Sequence, residues 1–113
     1  MSTWRTPAEN EQVFYKVYAF THTMQNDNAA NIVTVSTRMQ EINKITIAVD
    51  TFDAYINFDG DATRTSVSGT VGSLLVPAGT SYSEEKIYIS TRISAINATT
   101  GSNARIRGVI WGR

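Results

Sequence analysis

The sequence predicts a single all-β domain, a jelly-roll-like β-sandwich of seven to eight short strands with an extended N-terminal arm. Three observations lead there. Apolar and polar residues alternate in short runs, the period of a half-buried strand. Turn-forming sequences such as Asp59-Gly60 and Pro77-Ala78-Gly79 separate those runs. Thr and Ser recur at polar positions, as in Thr34-Val35-Ser36-Thr37 and Thr63-Arg64-Thr65-Ser66, which suits strands with one solvated face. A chain of 113 residues fits one domain, and at that size about two-thirds of the unfolded surface is buried on folding.

Residues 1–12 (MSTWRTPAENEQ) are polar, contain Pro7 and carry one large apolar residue, Trp4. They read as an extended arm ahead of a domain at 13–113, with Trp4 either folded back or docked on another subunit. Val13 to Thr21 (VFYKVYAFT) sets Phe14, Lys16, Tyr18 and Phe20 against Val13, Tyr15, Val17 and Ala19. Val13, Val17, Phe20 and Met24 also satisfy a helical period; the β-branched and aromatic content favours a strand apolar on both faces. His22 to Asn31 reads as a polar loop, and Ile32 to Thr37 as a short strand. Arg38 to Asn43 breaks the alternation, as one helical turn or a bent connection.

Ile45, Ile47 and Val49 alternate with Thr46, Ala48 and Asp50, a clear half-buried strand. A second alternation sets Ala54, Ile56 and Phe58 against Tyr55, Asn57 and Asp59. It ends in Asp59-Gly60, where the glycine takes positive φ without penalty. Residues 61–73 are polar and form a surface excursion. Leu74, Leu75 and Val76 make a short buried run, Ile87 and Ile89 alternate with Tyr88 and Ser90, and Ile93 to Asn97 forms another strand. After a turn at 99–103 the last strand, Ala104 to Trp111, sets Ile106 and Ile110 against Arg105, Arg107 and Trp111.

Charge and composition exclude several function classes. Lys and Arg total 10, as do Asp and Glu, so the formal net charge is zero and the basic excess of a nucleic-acid binder is missing. Acidic residues concentrate at Asp50, Asp53, Asp59 and Asp61, and basic ones at Arg105, Arg107 and Arg113. Those two groups either pair across a sheet, form two solvated faces, or meet between copies. The absence of cysteine removes disulfides, thiolate ligands and a Cys nucleophile. No apolar run approaches the ~18 residues of a membrane span. Met1-Ser2-Thr3-Trp4 lacks the pattern of a secretory signal, so Asn97-Ala98-Thr99 reads as a chance match to the N-glycosylation triplet.

No catalytic, cofactor or metal constellation is evident. His22, the single histidine, falls in the expected loop without an orienting carboxylate. Asp53, Asp59 and Asp61 offer hard oxygen ligands, yet their spacing departs from the EF-hand loop and is better explained by turns. Gly69-Thr70-Val71-Gly72 lacks the Lys of a phosphate-binding loop. Tyr15, Tyr18, Tyr55, Tyr82 and Tyr88 keep a sugar platform open beside their plainer role as strand residues.

Three segments, AYINFDGDAT at 54–63, SLLVPAGTSYSEEKIYISTRISAINA at 73–98 and ARIRGVIWGR at 104–113, resemble small β-sandwich accessory proteins of tailed-bacteriophage virions. The shared features are a strand ending near FDG, a hydrophobic strand into a PAG turn, an I-S-x-I-x-A strand and a closing strand ending in Trp-Gly. The resemblance covers residues 42–113. It implies a non-enzymatic capsid decoration (cement) protein, or a neck, tail or head-fibre accessory, without direct nucleic-acid or membrane contact. Its implied partners are further copies of itself, a trimer first, and the major capsid protein or other virion proteins. Its implied location is the virion, assembled in the bacterial cytoplasm. A carbohydrate-binding module contacting the host surface is the competing expectation. Interface residues are expected at Trp4, Arg5, Arg105, Arg107, Trp111 and Arg113, because Trp and Arg are enriched at interface cores.

Overall fold

The computed structural model describes residues 16–64 and 73–113. The expected arm at 1–12, with Trp4 and Arg5, lies outside the described residues, as do Val13–Tyr15 and residues 65–72. Eight strands follow in order: β1 (Lys16–Thr23), β2 (Ala30–Thr34), β3 (Ile42–Asp50), β4 (Ala54–Phe58), β5 (Leu74–Val76), β6 (Thr80–Glu84), β7 (Arg92–Asn97) and β8 (Arg105–Gly112). A 3-10 turn, Val35–Thr37, links β2 to β3.

The strands form two four-stranded antiparallel sheets, in the orders β1-β8-β3-β6 and β2-β7-β4-β5. The pairing is nested: β1 with β8, β2 with β7, β3 with β6 and β4 with β5. Such a ribbon, folded over so that β3 meets β8 and β4 meets β7, is an eight-stranded jelly roll. Alternation explains the core. Ile45, Ile47 and Val49 of β3, Ile106 and Ile110 of β8, and Ile93 and Ala95 of β7 are all fully buried between the sheets.

Several boundaries move from their expected places. β1 is a strand, with Phe20 buried and Val17 and Ala19 exposed, so its outward face is apolar but not covered. The expected loop from His22 shrinks to 24–29, and Met24 within it is 2% exposed, plugging one end of the sandwich. The strand expected at Ile32–Thr37 begins earlier and ends at Thr34, where Val35 turns inward into the 3-10 turn. Leu74 and Leu75 are 37% and 44% exposed rather than buried, because β5 is a three-residue edge strand with one neighbour. Ile87–Ser90 forms no strand. Ile89 makes one bridge to Ile42 and fills the other end of the core. The pairing partner of β3 is instead Thr80–Glu84, a polar segment whose alternation is too weak to read.

The Asp59-Gly60 turn forms, but the positive φ of 59° belongs to Asp59. Its carboxylate accepts hydrogen bonds from the N–H groups of Ser90 (3.1 Å), Thr91 (2.6 Å) and Arg92 (3.1 Å). Those bonds hold the β6–β7 connection against the end of β4 and overcome the left-handed backbone's cost, which Asp tolerates better than most residues.

Candidate interaction face

The two sheets differ in what lies on their outer sides. Ser94 and Ile96 point outward from β7 yet are 1% and 7% exposed. The chain leaving β4 crosses that surface: the Ser94 hydroxyl accepts from Ala62 N–H (2.6 Å) and donates to the Gly60 carbonyl (2.8 Å). Farther along, the Arg64 guanidinium donates to the Asp27 carbonyl at the opposite end of the sandwich. Residues 60–64 therefore cover the outer side of β7 in the second sheet, while Leu75 at its edge stays exposed.

Among the described residues nothing crosses the outer face of the first sheet. Cross-strand register builds it in four rows: Val17–Trp111–Lys44, Ala19–Val109–Thr46, Thr21–Arg107–Ala48 and Thr23–Arg105–Asp50. Ser83 and Ser81 of β6 extend the second and third rows. Small side chains leave a shallow hollow of about 350 Å³ at the centre, around Ala19, Thr46, Ala48 and Val109. Larger residues stand at both ends of it.

Four of the six expected interface residues come together here. Arg105, Arg107 and Trp111 all point outward from β8, an interior strand of the sheet, and Arg113 follows directly. Arg107, Trp111 and Arg113 each have a local partner that fixes their geometry. Arg107 Nε lies 3.0 Å from Asp50 Oδ2, so part of the acidic stretch pairs with the basic strand inside one chain. The Lys44 ammonium sits 4.6 Å from the centre of the Trp111 ring and 3.7 Å from Glu85 Oε1. Arg113 Nη2 lies 3.4 Å from Glu41 Oε1. A cation over an aromatic face is attractive, and here it pre-orders Trp111 as half of a cleft of about 320 Å³ with Asn43 and Glu85.

The carboxylates singled out in the sequence bind protein groups. Asp53 accepts from Ala78 N–H at 2.7 Å, Asp61 pairs with Arg92 at 2.9 Å, and Asp59 holds the loop described above. Among the described residues no group of three His, Cys, Asp or Glu could hold a metal ion. His22 lies within β1, one residue from its end and opposite Ile106, rather than in a loop. The described tyrosines do not form a row. Tyr18 and Tyr82 pack against the core, Tyr55 points outward from the second sheet, and Tyr88 stands 64% exposed on a loop. Tyr18 carries the Arg38 guanidinium 4.0 Å above its ring, and Tyr82 stacks on Phe58.

Sequence reasoning missed the small central residues of this face. Ala19, Thr46, Ala48 and Val109 look like ordinary polar-side strand positions until register sets them side by side. No family model and no curated protein matches the chain.

Proposed function

We propose that the chain is a non-enzymatic structural component of a tailed-phage virion, a decoration protein that docks on the capsid through the outer face of its first sheet. One observation carries this reading. Among the described residues nothing covers that face, where Trp and Arg stand around a hollow of small residues, whereas residues 60–64 run over the equivalent face of the second sheet. Trp and Arg are among the residues that contribute most to protein–protein binding energy, and here they stand at the two ends of the hollow. The jelly roll also serves many viral capsid proteins, although lectins and cupins share it, so fold alone does not decide. Small contacts repeated over a shell suffice, because multivalent attachment multiplies weak affinities.

The test is the composition of purified particles. Quantitative mass spectrometry of density-banded virions should find the chain at a copy number proportional to that of the major capsid protein. A chain absent from intact particles overturns the proposal; one present in only a few copies moves it to the neck or tail.

A second reading has one observation in its favour. Trp111 lines a cleft with Asn43 and Glu85, an aromatic ring beside hydrogen-bonding groups, which is also how proteins hold sugars. Quenching or enhancement of Trp fluorescence by simple hexoses, lost in Trp111→Ala, would favour a saccharide-binding module.

A further inference from the structure

The jelly roll ends its sheets on four strand edges, β1 and β6 in the first, β2 and β5 in the second. An open edge presents unpaired N–H and C=O groups, and proteins blunt it with bulges, charge, proline or brevity. Three of these edges carry such devices. β2 is irregular between Asn31 and Val33. β5 has three residues and runs into Pro77. β6 has five, ending in Glu84 with Glu85 and Lys86 behind it.

β1 has one charged residue, Lys16 at its first position, and no bulge or proline. Its eight residues pair with β8 without a register break, and no charge falls between Val17 and Thr21. Among the described residues no strand pairs with it on the other side. Val17, at 61%, is one of the two most exposed large apolar residues described.

We infer that β1 is the attachment site for a second copy of this chain. β1 of each copy pairs antiparallel with the other about a two-fold axis, which joins two four-stranded sheets into one of eight. One patch meeting itself is the geometry of a closed dimer. With Ala19 on the axis, Val17 lies opposite Thr21 of the other copy, and Tyr18 opposite its Phe20. β-branched side chains then pair on the outer side and aromatic ones on the inner side, both favourable cross-strand combinations. The uncharged middle of the strand offers nothing to repel its own copy.

An antiparallel two-fold of this kind leaves both outer faces on the same side. The dimer presents two copies of the Trp111 and Arg107 surface in one plane, so one capsid site can hold both. The inference deepens the assembly reading, on which its biological meaning rests, and replaces the trimer with a dimer. A strand of this length spans about 27 Å. Two layers deep, the contact is about 500 Å² per copy, short of the roughly 800 Å² of a standard interface. The free protein will therefore dimerise weakly and the particle will hold the dimer.

The experiment is sedimentation velocity on the full chain across a wide concentration series, with two variants, Val17→Lys/Thr21→Lys and Val17→Glu/Thr21→Glu. Both positions are exposed, so melting should change little. The wild type should pass from monomer to dimer. Each variant should stay monomeric, since like charges face each other twice, and an equimolar mixture of the two should recover the dimer. A wild type that stays monomeric, a trimer, a dimer that persists in both variants, or a mixture that stays monomeric overturns the inference. Amide exchange gives a readout free of substitutions: protection across Val17–Thr21 should rise with concentration, and flat exchange counts against the pairing. None of these measurements involves a capsid, so failure here leaves the docking proposal standing, and failure of docking leaves the dimer.

Discussion

At the scale of single residues, two buried or bridging polar groups hold the ends of the sandwich. Asn97 is 0% exposed. Its amide donates to the Asn26 carbonyl (3.1 Å), Asp27 Oδ1 (3.2 Å) and Asn103 Oδ1 (2.9 Å), and its oxygen accepts from Ala104 N–H (2.9 Å). Asn97→Ala orphans several of these groups and should cost about 2–4 kcal/mol, read as a lower urea midpoint. The match to the glycosylation triplet was visible in the sequence; the burial of its amide, committed to two loops, was not. Asp59 acts at the other end. Burial pushes its carboxyl up, but the N–H groups of Ser90, Thr91 and Arg92 with the Ser90 hydroxyl outweigh burial and hold it below its ordinary 3.8. Asp27 is lowered too, by Gly101 N–H and the Asn97 amide. A carboxyl with a depressed folded pKa contributes stability that is fully present above its unfolded value and is lost as pH falls through the folded value. Stability should therefore fall as pH drops below about 3.8. Asp59→Asn should lower it by about 1 kcal/mol at neutral pH, the exposed carboxylate's hydrogen bonds being screened by water. It should also flatten the acid limb of the denaturation profile.

At the scale of elements, the strands that the sequence reveals are those with one face in the core. β3, β4 and β8 alternate because every second residue is buried between sheets, while β7 is buried on both faces. β6 was invisible because its edge position asks for little apolar character beyond Tyr82. The alternation at Ile87 and Ile89 misled for the opposite reason: it reports burial at the mouth of the sandwich, not pairing. Spacing also hid the role of Gly108. It lies on the inward side of β8, opposite Phe20, and a Cβ there would run into the Thr46 carbonyl and stand 3.0 Å from the Phe20 ring. The nearest atom is backbone, so the strand itself has to move. Gly108→Ala should destabilise by about 2–3 kcal/mol. It should also loosen β1 first, seen as faster amide exchange in Lys16–Thr23 than in β3.

At the scale of the molecule, the fold class followed from strand count and turn signals, while the nested pairing did not. β1 meets β8 and β2 meets β7 across most of the chain's length, and local periodicity says nothing about such distant partners. The same limit applied to the candidate face. Alternation along β8 put Arg105, Arg107 and Trp111 on one side. Alternation does not tell where residues 60–64 run, and they run over the second sheet. Trp111→Ala and Arg107→Ala should therefore act on assembly more than on folding. Their local partners, Lys44 and Asp50, sit near the surface, and surface pairs contribute roughly 0–1 kcal/mol. Substitutions on the second sheet's edge, such as Leu75→Thr, should leave assembly untouched.

The most direct measurement is the binding of purified chain to particles lacking it, comparing wild type, Trp111→Ala/Arg107→Ala and Leu75→Thr after each has been shown to melt cooperatively. Saturable binding by wild type and Leu75→Thr, with at least a tenfold loss in the outer-face variant, about 1.4 kcal/mol, is the expected result. Equal binding by all three, or no binding by wild type, contradicts a virion protein that docks through the outer face of its first sheet.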